Sequence, residues 1–216
     1  MEKVDWKKLK GIVAIYKPKG PTSFDIIYKL RQITGIKKIG HAGTLDPLAS
    51  GVLVVGIGRE ATKKLSEAVE SEKEYVATVR FGAESTTDDE GGEKNIKKVS
   101  GKPTRKEVKK ALEKFCGKIM QLPPNFSAIK IGGVRAYRMA RRGEIPKLKK
   151  RPVEVREIKI IKYKWPDLKI KIVSGKGFYV RSLARDLGKK LKVGGYLAAL
   201  ERTRVGRFKK SDAIKI

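Results

Sequence analysis

The stretch His41-Ala42-Gly43-Thr44-Leu45-Asp46-Pro47-Leu48-Ala49-Ser50-Gly51 gathers most of the scarce chemistry of this chain. His41 is the single histidine, and Asp46 stands alone as a carboxylate on a predicted loop. Glycines at 40, 43 and 51 allow turns that a side chain would forbid. Pro47 fixes its own φ and turns Asp46 away from helical geometry. A rigid loop that presents one carboxylate is what a nucleophile or general base requires. Taken alone, the same loop also reads as a structural Ω-loop in which Thr44 and Asp46 satisfy backbone donors.

Charge narrows the class of partner. Lys and Arg number 52 against 23 Asp and Glu in 216 residues, a formal net charge of +29. The few amides (Asn95, Asn125, Gln32, Gln121) suit a heat-adapted protein, but ion-pair networks need both signs and the acidic half is missing. The excess points to a polyanion. Cys116 is the only cysteine, which excludes an intramolecular disulfide, fits a reducing cytoplasm and reads as a small buried apolar residue. One His and one Cys make a zinc site implausible, and neither a Walker nor a Rossmann phosphate loop occurs, so no metal or cofactor is expected. No secretory signal or membrane-spanning run is read.

The elements that must position this chemistry follow from periodicity. Gly11 to Tyr16 reads as a buried strand, and Ser23 as the cap of a helix to about Gln32 with Phe24, Ile27, Tyr28 and Leu30 as apolar positions. Val52 to Ile57 reads as a central strand and Glu60 to Ala68 as a helix. Glu74 to Phe81 alternates, with Tyr75, Ala77, Val79 and Phe81 on one face. Residues 84–101 read as an exposed loop. Thr104 and Glu107 make a capping box for a helix through Phe115, stopped at Gly117. Residues 127–131 enter a turn at Gly132-Gly133, followed by a short basic helix from Ala136 to Arg142. A hairpin is expected around Trp165-Pro166, a helix from Phe178 to Leu191, and a short helix or turn followed by a strand from Gly195 to Phe208. Strands interrupted by helices, at hairpin-like spacing, predict an α+β class with a mostly antiparallel mixed β-sheet and flanking helices, built as one domain over 1–216. The N-terminal arm from Glu2 to Lys10 is polar and peripheral.

Two further segments carry chemistry. In Gly177-Phe178-Tyr179-Val180-Arg181-Ser182-Leu183-Ala184-Arg185-Asp186-Leu187-Gly188, Arg181 falls near a helix start, where the macrodipole disfavours a cation; it needs a carboxylate or phosphate, or else reaches solvent. The segment from Pro124 to Gly143 mixes cations with aromatics across a turn, a surface suited to phosphates and splayed bases.

Together these segments resemble the TruB family of tRNA pseudouridine synthases, bacterial type. The resemblance runs through KPKGPTS (17–23), GHAGTLDPLASGVLVVGIGREATK (40–63), the KEY triplet ending at Tyr75, PPNFSAIKIGGVRAYRMARRG (123–143), GKGFYVRSLARDLG (175–188) and LAALERTRVGRF (197–208). The motifs stand in family order across nearly the whole chain. The resemblance implies isomerisation of the T-loop uridine of tRNA called uridine 55, after the base flips out of its stack. Asp46 matches the family's essential aspartate, acting either as a nucleophile or by abstracting the C2′ proton through a glycal. Arg181 matches the arginine that pairs with it, and Tyr75 the tyrosine that stacks on the target uracil. His41 matches the histidine that supports the rearranged RNA loop, and Tyr179 and Leu200 match residues that line the uracil pocket. Lys17 and Pro18 match the support of the active-site floor. Residues 121–150 match an RNA-gripping insertion in which Lys130, Arg135, Arg138, Arg141 and Arg142 meet phosphates. The expected partner is the tRNA T-arm, with no membrane, no obligatory protein partner and a monomeric enzyme in the cytoplasm. A C-terminal PUA domain, present in many members, is not expected here. The competing function is an RNA-folding protein whose role does not need catalysis.

Overall fold

The computed structural model describes residues 5–6, 8–70 and 72–216, so the polar N-terminal arm lies partly outside the described residues. The chain forms two compact units, one of residues 5–76 with 200–216 and one of residues 77–199. The first unit opens with β1 (Gly11–Lys17), α1 (Ser23–Thr34), β2 (Ile39–Ala42), β3 (Ala49–Ile57), α2 (Arg59–Lys63) and α3 (Leu65–Glu70), then enters β4 (Lys73–Phe81). The second unit takes up β4 and continues through a hairpin of β5 (Ala83–Ser85) and β6 (Lys94–Ile96), α4 (Arg105–Glu113) and β7 (Gly117–Gln121). After a second small hairpin, β8 (Lys130–Ile131) and β9 (Val134–Arg135), come α5 (Ala136–Arg141), β10 (Arg151–Lys164), β11 (Asp167–Ser174), α6 (Val180–Lys190) and the start of β12 (Gly195–Val205). The end of β12, β13 (Phe208–Lys209) and β14 (Ile214–Lys215) return to the first unit.

The class is α+β, as the order of elements in the sequence predicts. In the first unit the strand order is β14-β1-β3-β12. β1 runs antiparallel to β3, whereas β12 runs parallel to it, with Leu200 opposite Ala49 and Arg202 opposite Gly51. β2 shares that second edge of β3, pairing Ile39 with Ile57 and Ala42 with Val54. The continuous apolar run of β3 is explained by burial on both faces. Leu53, Val55 and Ile57 pack with Ile26, Ile27 and Leu30 of α1, while Val52 and Val54 pack with Leu65 and Val205. In the second unit the order is β4-β11-β10-β7, with β10 antiparallel to both neighbours. The alternation of β4 is as read: Tyr75, Ala77, Val79 and Phe81 are all buried.

Several local expectations need correction. The cap of α1 is Thr22: its hydroxyl accepts from Asp25 N at 3.1 Å while Asp25 accepts from Thr22 N at 2.8 Å. The Ser23 hydroxyl is committed elsewhere, donating to Leu45 O at 3.0 Å and accepting from Leu45 N at 2.9 Å. Phe24 and Tyr28 are exposed, so the fully buried apolar side chains of α1 are Ile26, Ile27 and Leu30. Residues 60–68 form parts of two short helices broken at Lys64. Residues 84–101 contain a structured turn in the β5–β6 hairpin, where Asp89 is buried and accepts from Thr87 Oγ1 and Gly91 N. Gly117 begins β7 after the α4 capping box, which is present as expected. Residues 195–205 are one strand with no leading helix, its second half paired with β3 at 200–202 and with β13 at 204–205. Cys116 is exposed, not buried. No helix among the described residues is long and apolar enough to cross a membrane.

Candidate active site

Asp46 lies in the first unit, half-buried on the turn between β2 and β3. The turn is fixed at successive residues. Leu45 is held by Ser23, Asp46 O accepts from Ala49 N at 3.0 Å, and Pro47 O accepts from Gly20 N at 2.8 Å. The carboxylate therefore sits on a segment with little backbone freedom, which is the geometric condition for a reacting group. His41 is on β2, not on a loop, with its ring half-buried. Its Nδ1 is buried with no hydrogen-bond partner among the described residues. Burial, with the nearby charge of Arg202, lowers its pKa, so the imidazole is neutral at pH 7. A neutral ring suits packing better than charge pairing.

The environment of Asp46 is strongly cationic. Lys17, at the end of β1, is fully buried, and its ammonium donates to Pro18 O at 2.9 Å and Pro21 O at 2.7 Å. Burial pulls its pKa down to about 8 against the Asp46 carboxylate, which raises it. Arg202 on β12 is 2% exposed; its Nε donates to Val52 O at 2.8 Å and its Nη2 to Gly43 O at 2.9 Å. It also donates to the Tyr75 hydroxyl. Burial lowers its pKa, and Tyr75 and Asp46 oppose that shift. Tyr75 is buried on β4, its hydroxyl pushed up chiefly by burial. Lys73, two residues earlier on the same face, is buried as well and brought to about 8 by burial and by Arg202. The approach of β12 to β3 depends on Gly51, whose φ is +110° and whose Cβ, if present, would stand 2.1 Å from Arg202 O. A side chain at 51 would push away the strand that carries Arg202. A carboxylate, an aromatic ring and buried cations within one unit can hold a planar ring and stabilise charge that develops on it.

In the second unit Arg181 lies at the start of α6 and is 6% exposed. It does not reach solvent. Its Nη2 donates to Phe126 O at 3.0 Å, its Nη1 to Thr87 O at 3.5 Å, and its Nε lies 3.8 Å from Asp89 Oδ2. The partner that the helix dipole demands is thus supplied by residues read as an exposed loop. Arg185, one turn on, bonds Asp88 at 2.8 Å and Asp186 at 2.9 Å. Tyr179 caps α6 half-buried, and its backbone is clamped by Gln121, which accepts from its N at 2.8 Å and donates to its O at 3.0 Å. Leu200 is half-buried on β12 in the first unit. Lys130, Arg135, Arg138, Arg141 and Arg142 are all exposed. Arg141 stacks 5.5 Å from the centroid of Tyr137, whose hydroxyl is lowered by hydrogen bonds from Arg138 and Arg135.

Two family models match this chain. A TruB family pseudouridylate synthase N-terminal domain matches residues 31–180, and a tRNA pseudouridylate synthase B C-terminal domain matches residues 181–216. The chain belongs to the TruB family of pseudouridylate synthases, and so to the isomerases. The tRNA pseudouridine synthase B of Ehrlichia ruminantium is 45% identical over 208 residues, covering 95% of this chain and 70% of the relative. That of Corynebacterium diphtheriae is 44% identical over 214 residues, covering 95% and 71%. Among solved structures, an H/ACA ribonucleoprotein bound to a substrate RNA containing 2′-deoxyuridine is 27% identical, with a TM-score of 0.70, covering 95% of this chain and 50% of the other. An archaeal box H/ACA Nop10–Cbf5 complex is 26% identical, with a TM-score of 0.71, covering 99% and 54%. The chain thus spans about half the length of these solved relatives.

Sequence reasoning did not single out Arg202, Lys73, Gln121 or Asp89. Arg202 and Lys73 stood inside quoted family blocks, yet their burial depends on strand register. The one local hint was arginine and lysine at alternating positions that otherwise hold apolar side chains.

Proposed function

We propose that this protein is a tRNA pseudouridine-55 synthase. The observation that carries the reading is Asp46 on its pinned turn beside Lys17, Tyr75 and Arg202, in a chain 44–45% identical to enzymes named tRNA pseudouridine synthase B. In the reaction the N1–C1′ bond of the uridine breaks, the base turns, and a C5–C1′ bond forms. C5 loses a proton and N1 gains one, so the change is an isomerisation with no redox partner. Asp46 acts as a nucleophile on the sugar or the base, or by removal of the C2′ proton through a glycal. Tyr75 stacks on the uracil, with Leu200 in the same unit, and Tyr179 matches the family's other uracil-contacting residue. Arg181 matches the family's arginine and is the cation of the catalytic set on α6. The target base is flipped out of the T-loop before chemistry, and His41 packs into the gap it leaves. The enzyme works as a cytoplasmic monomer.

Tritium released from T-arm transcripts labelled at C5 of uridine tests the reading. Wild-type protein is expected to release one equivalent per tRNA, with the product mapped to the T-loop uridine by carbodiimide-stop sequencing. No release from tRNA that is demonstrably bound would sink it.

Exposed cations of the insertion make the salt dependence of binding a second test. Log affinity is expected to fall linearly with log salt, by about 0.7 to 0.9 per phosphate contacted. Replacing both Arg141 and Arg142 by Gln flattens that slope by about 1.5. An unchanged slope in the double variant would remove these residues from the phosphate contacts.

A further inference from the structure

In the first unit only two large apolar side chains are exposed among the described residues, and they stand together. Phe24 is 61% and Tyr28 56% exposed, one turn apart on α1. An aromatic ring ordinarily supplies buried area, so two on one ridge in water leave that gain unused. Arg31 completes the ridge: its guanidinium carbon lies 5.9 Å from the centroid of Phe24, within cation–π range. Its Nη2 donates to Ile39 O at 3.2 Å, and its Nε is buried with no hydrogen-bond partner among the described residues. Lys29, Lys37 and Lys38 are exposed nearby in the sequence. The one carboxylate of the helix, Asp25, is engaged by Thr22 in the capping box.

Both ends of this ridge are tied to the segment that leads into Asp46. Ser23, next to Phe24, makes two hydrogen bonds with Leu45, and Arg31 bonds Ile39, two residues before His41. The ridge is therefore indexed to the reacting carboxylate within one compact unit. Two rings with a guanidinium over one of them are too small for a stable protein interface, which needs about 1,000 Å² or more. They match the size and chemistry of one or two unpaired bases.

We propose that Phe24, Tyr28 and Arg31 form a stacking platform for an unpaired nucleotide of the substrate RNA, separate from the uridine that enters the Asp46 site. This rests on the tRNA reading above. It adds a contact on α1, on neither the Asp46 turn nor the basic insertion.

The test is affinity for a tRNA transcript, measured by filter binding in an Asp46→Asn background so that no turnover intervenes. Phe24→Ala with Tyr28→Ala is expected to weaken binding at least tenfold, and Phe24→Trp with Tyr28→Trp to restore it. Stacking is not counterion release, so the loss is expected to be the same factor at low and high salt, whereas Arg31→Gln flattens the salt slope. Both rings are exposed, and an unchanged melting temperature checks that the fold is intact. Unchanged affinity in the double alanine variant, with wild-type binding intact, overturns the platform and leaves the enzyme reading standing. An altered sedimentation mass of the protein alone, with RNA affinity untouched, makes the ridge a contact between copies of the chain and likewise overturns it. Failure of the wild type to bind tRNA overturns both.

Discussion

Asp46→Asn is expected to abolish tritium release, by roughly 10⁴-fold or more, the scale on which loss of a reacting side chain is measured in other enzymes. The change is nearly isosteric, and the turn is held at three successive residues by bonds that do not involve the carboxylate. Leu45 is held by Ser23, Pro47 O by Gly20 N, and Asp46 contributes its carbonyl to Ala49 N. What is lost is the negative charge. An amide is too poor a nucleophile to attack sugar or base, and far too weak a base to take the C2′ proton, so every route stops. Affinity for tRNA is expected to hold or rise, because one negative charge leaves a neighbourhood that already contains Lys17 and Arg202. The measurement is single-turnover release with saturating protein, paired with filter binding. Wild-type release by the Asn protein would remove Asp46 from the chemistry. Intact binding with no release would separate catalysis from RNA remodelling in one protein, and asking whether that variant supports the cellular role would then decide between an enzyme and an RNA-folding factor.

The parts of this arrangement that were legible in the sequence are those fixed by short-range rules. The alternation of β4 places Tyr75 inward, the Thr104–Glu107 capping box starts α4 where it should, and glycine and proline around Asp46 mark a constrained turn. The near miss at Thr22 and Ser23 shows the limit of such rules. Both hydroxyls can cap a helix, and only the tertiary bond of Ser23 to Leu45 decides which one does. Arg202 and Asp89 were illegible for a stronger reason. A charge is buried only when distant segments supply its partners, and those of Arg202 are carbonyls of residues 43 and 52 together with Tyr75. Asp89 likewise belongs to a turn whose composition reads as solvated until Arg181 and the backbone of residue 197 are placed against it. Exposure of Phe24 and Tyr28 violates the helical pattern that predicted them inside, and a broken local rule of that kind marks a surface with another purpose.

Arg202→Met is expected to cost about 3–5 kcal/mol of stability, from three acceptors that each lose a charged donor at about 1–3 kcal/mol apiece. The side chain is 2% exposed, so its guanidinium has exchanged water for the carbonyls of Val52 and Gly43 and the hydroxyl of Tyr75. Methionine fills much of the volume but takes the donor from those acceptors, and the buried ones pay their desolvation without return. For a chain of this size the loss corresponds to a fall in melting temperature of about 10 °C. Arg202→Lys is expected to recover only part of it, since one ammonium cannot reproduce the fork that meets two carbonyls and a phenol together. The same bonds tie β12 to the strand and turn on either side of Asp46, at the point where Gly51 lets the backbones close to contact. Turnover is therefore expected to fall in the lysine variant by more than its stability loss explains, when assayed well below its melting temperature. Thermal melts with tritium release at one fixed low temperature measure both quantities. A methionine variant as stable and as active as wild type would show that the carbonyls of Gly43 and Val52 find other donors, and that the position of Asp46 is set by the turn alone.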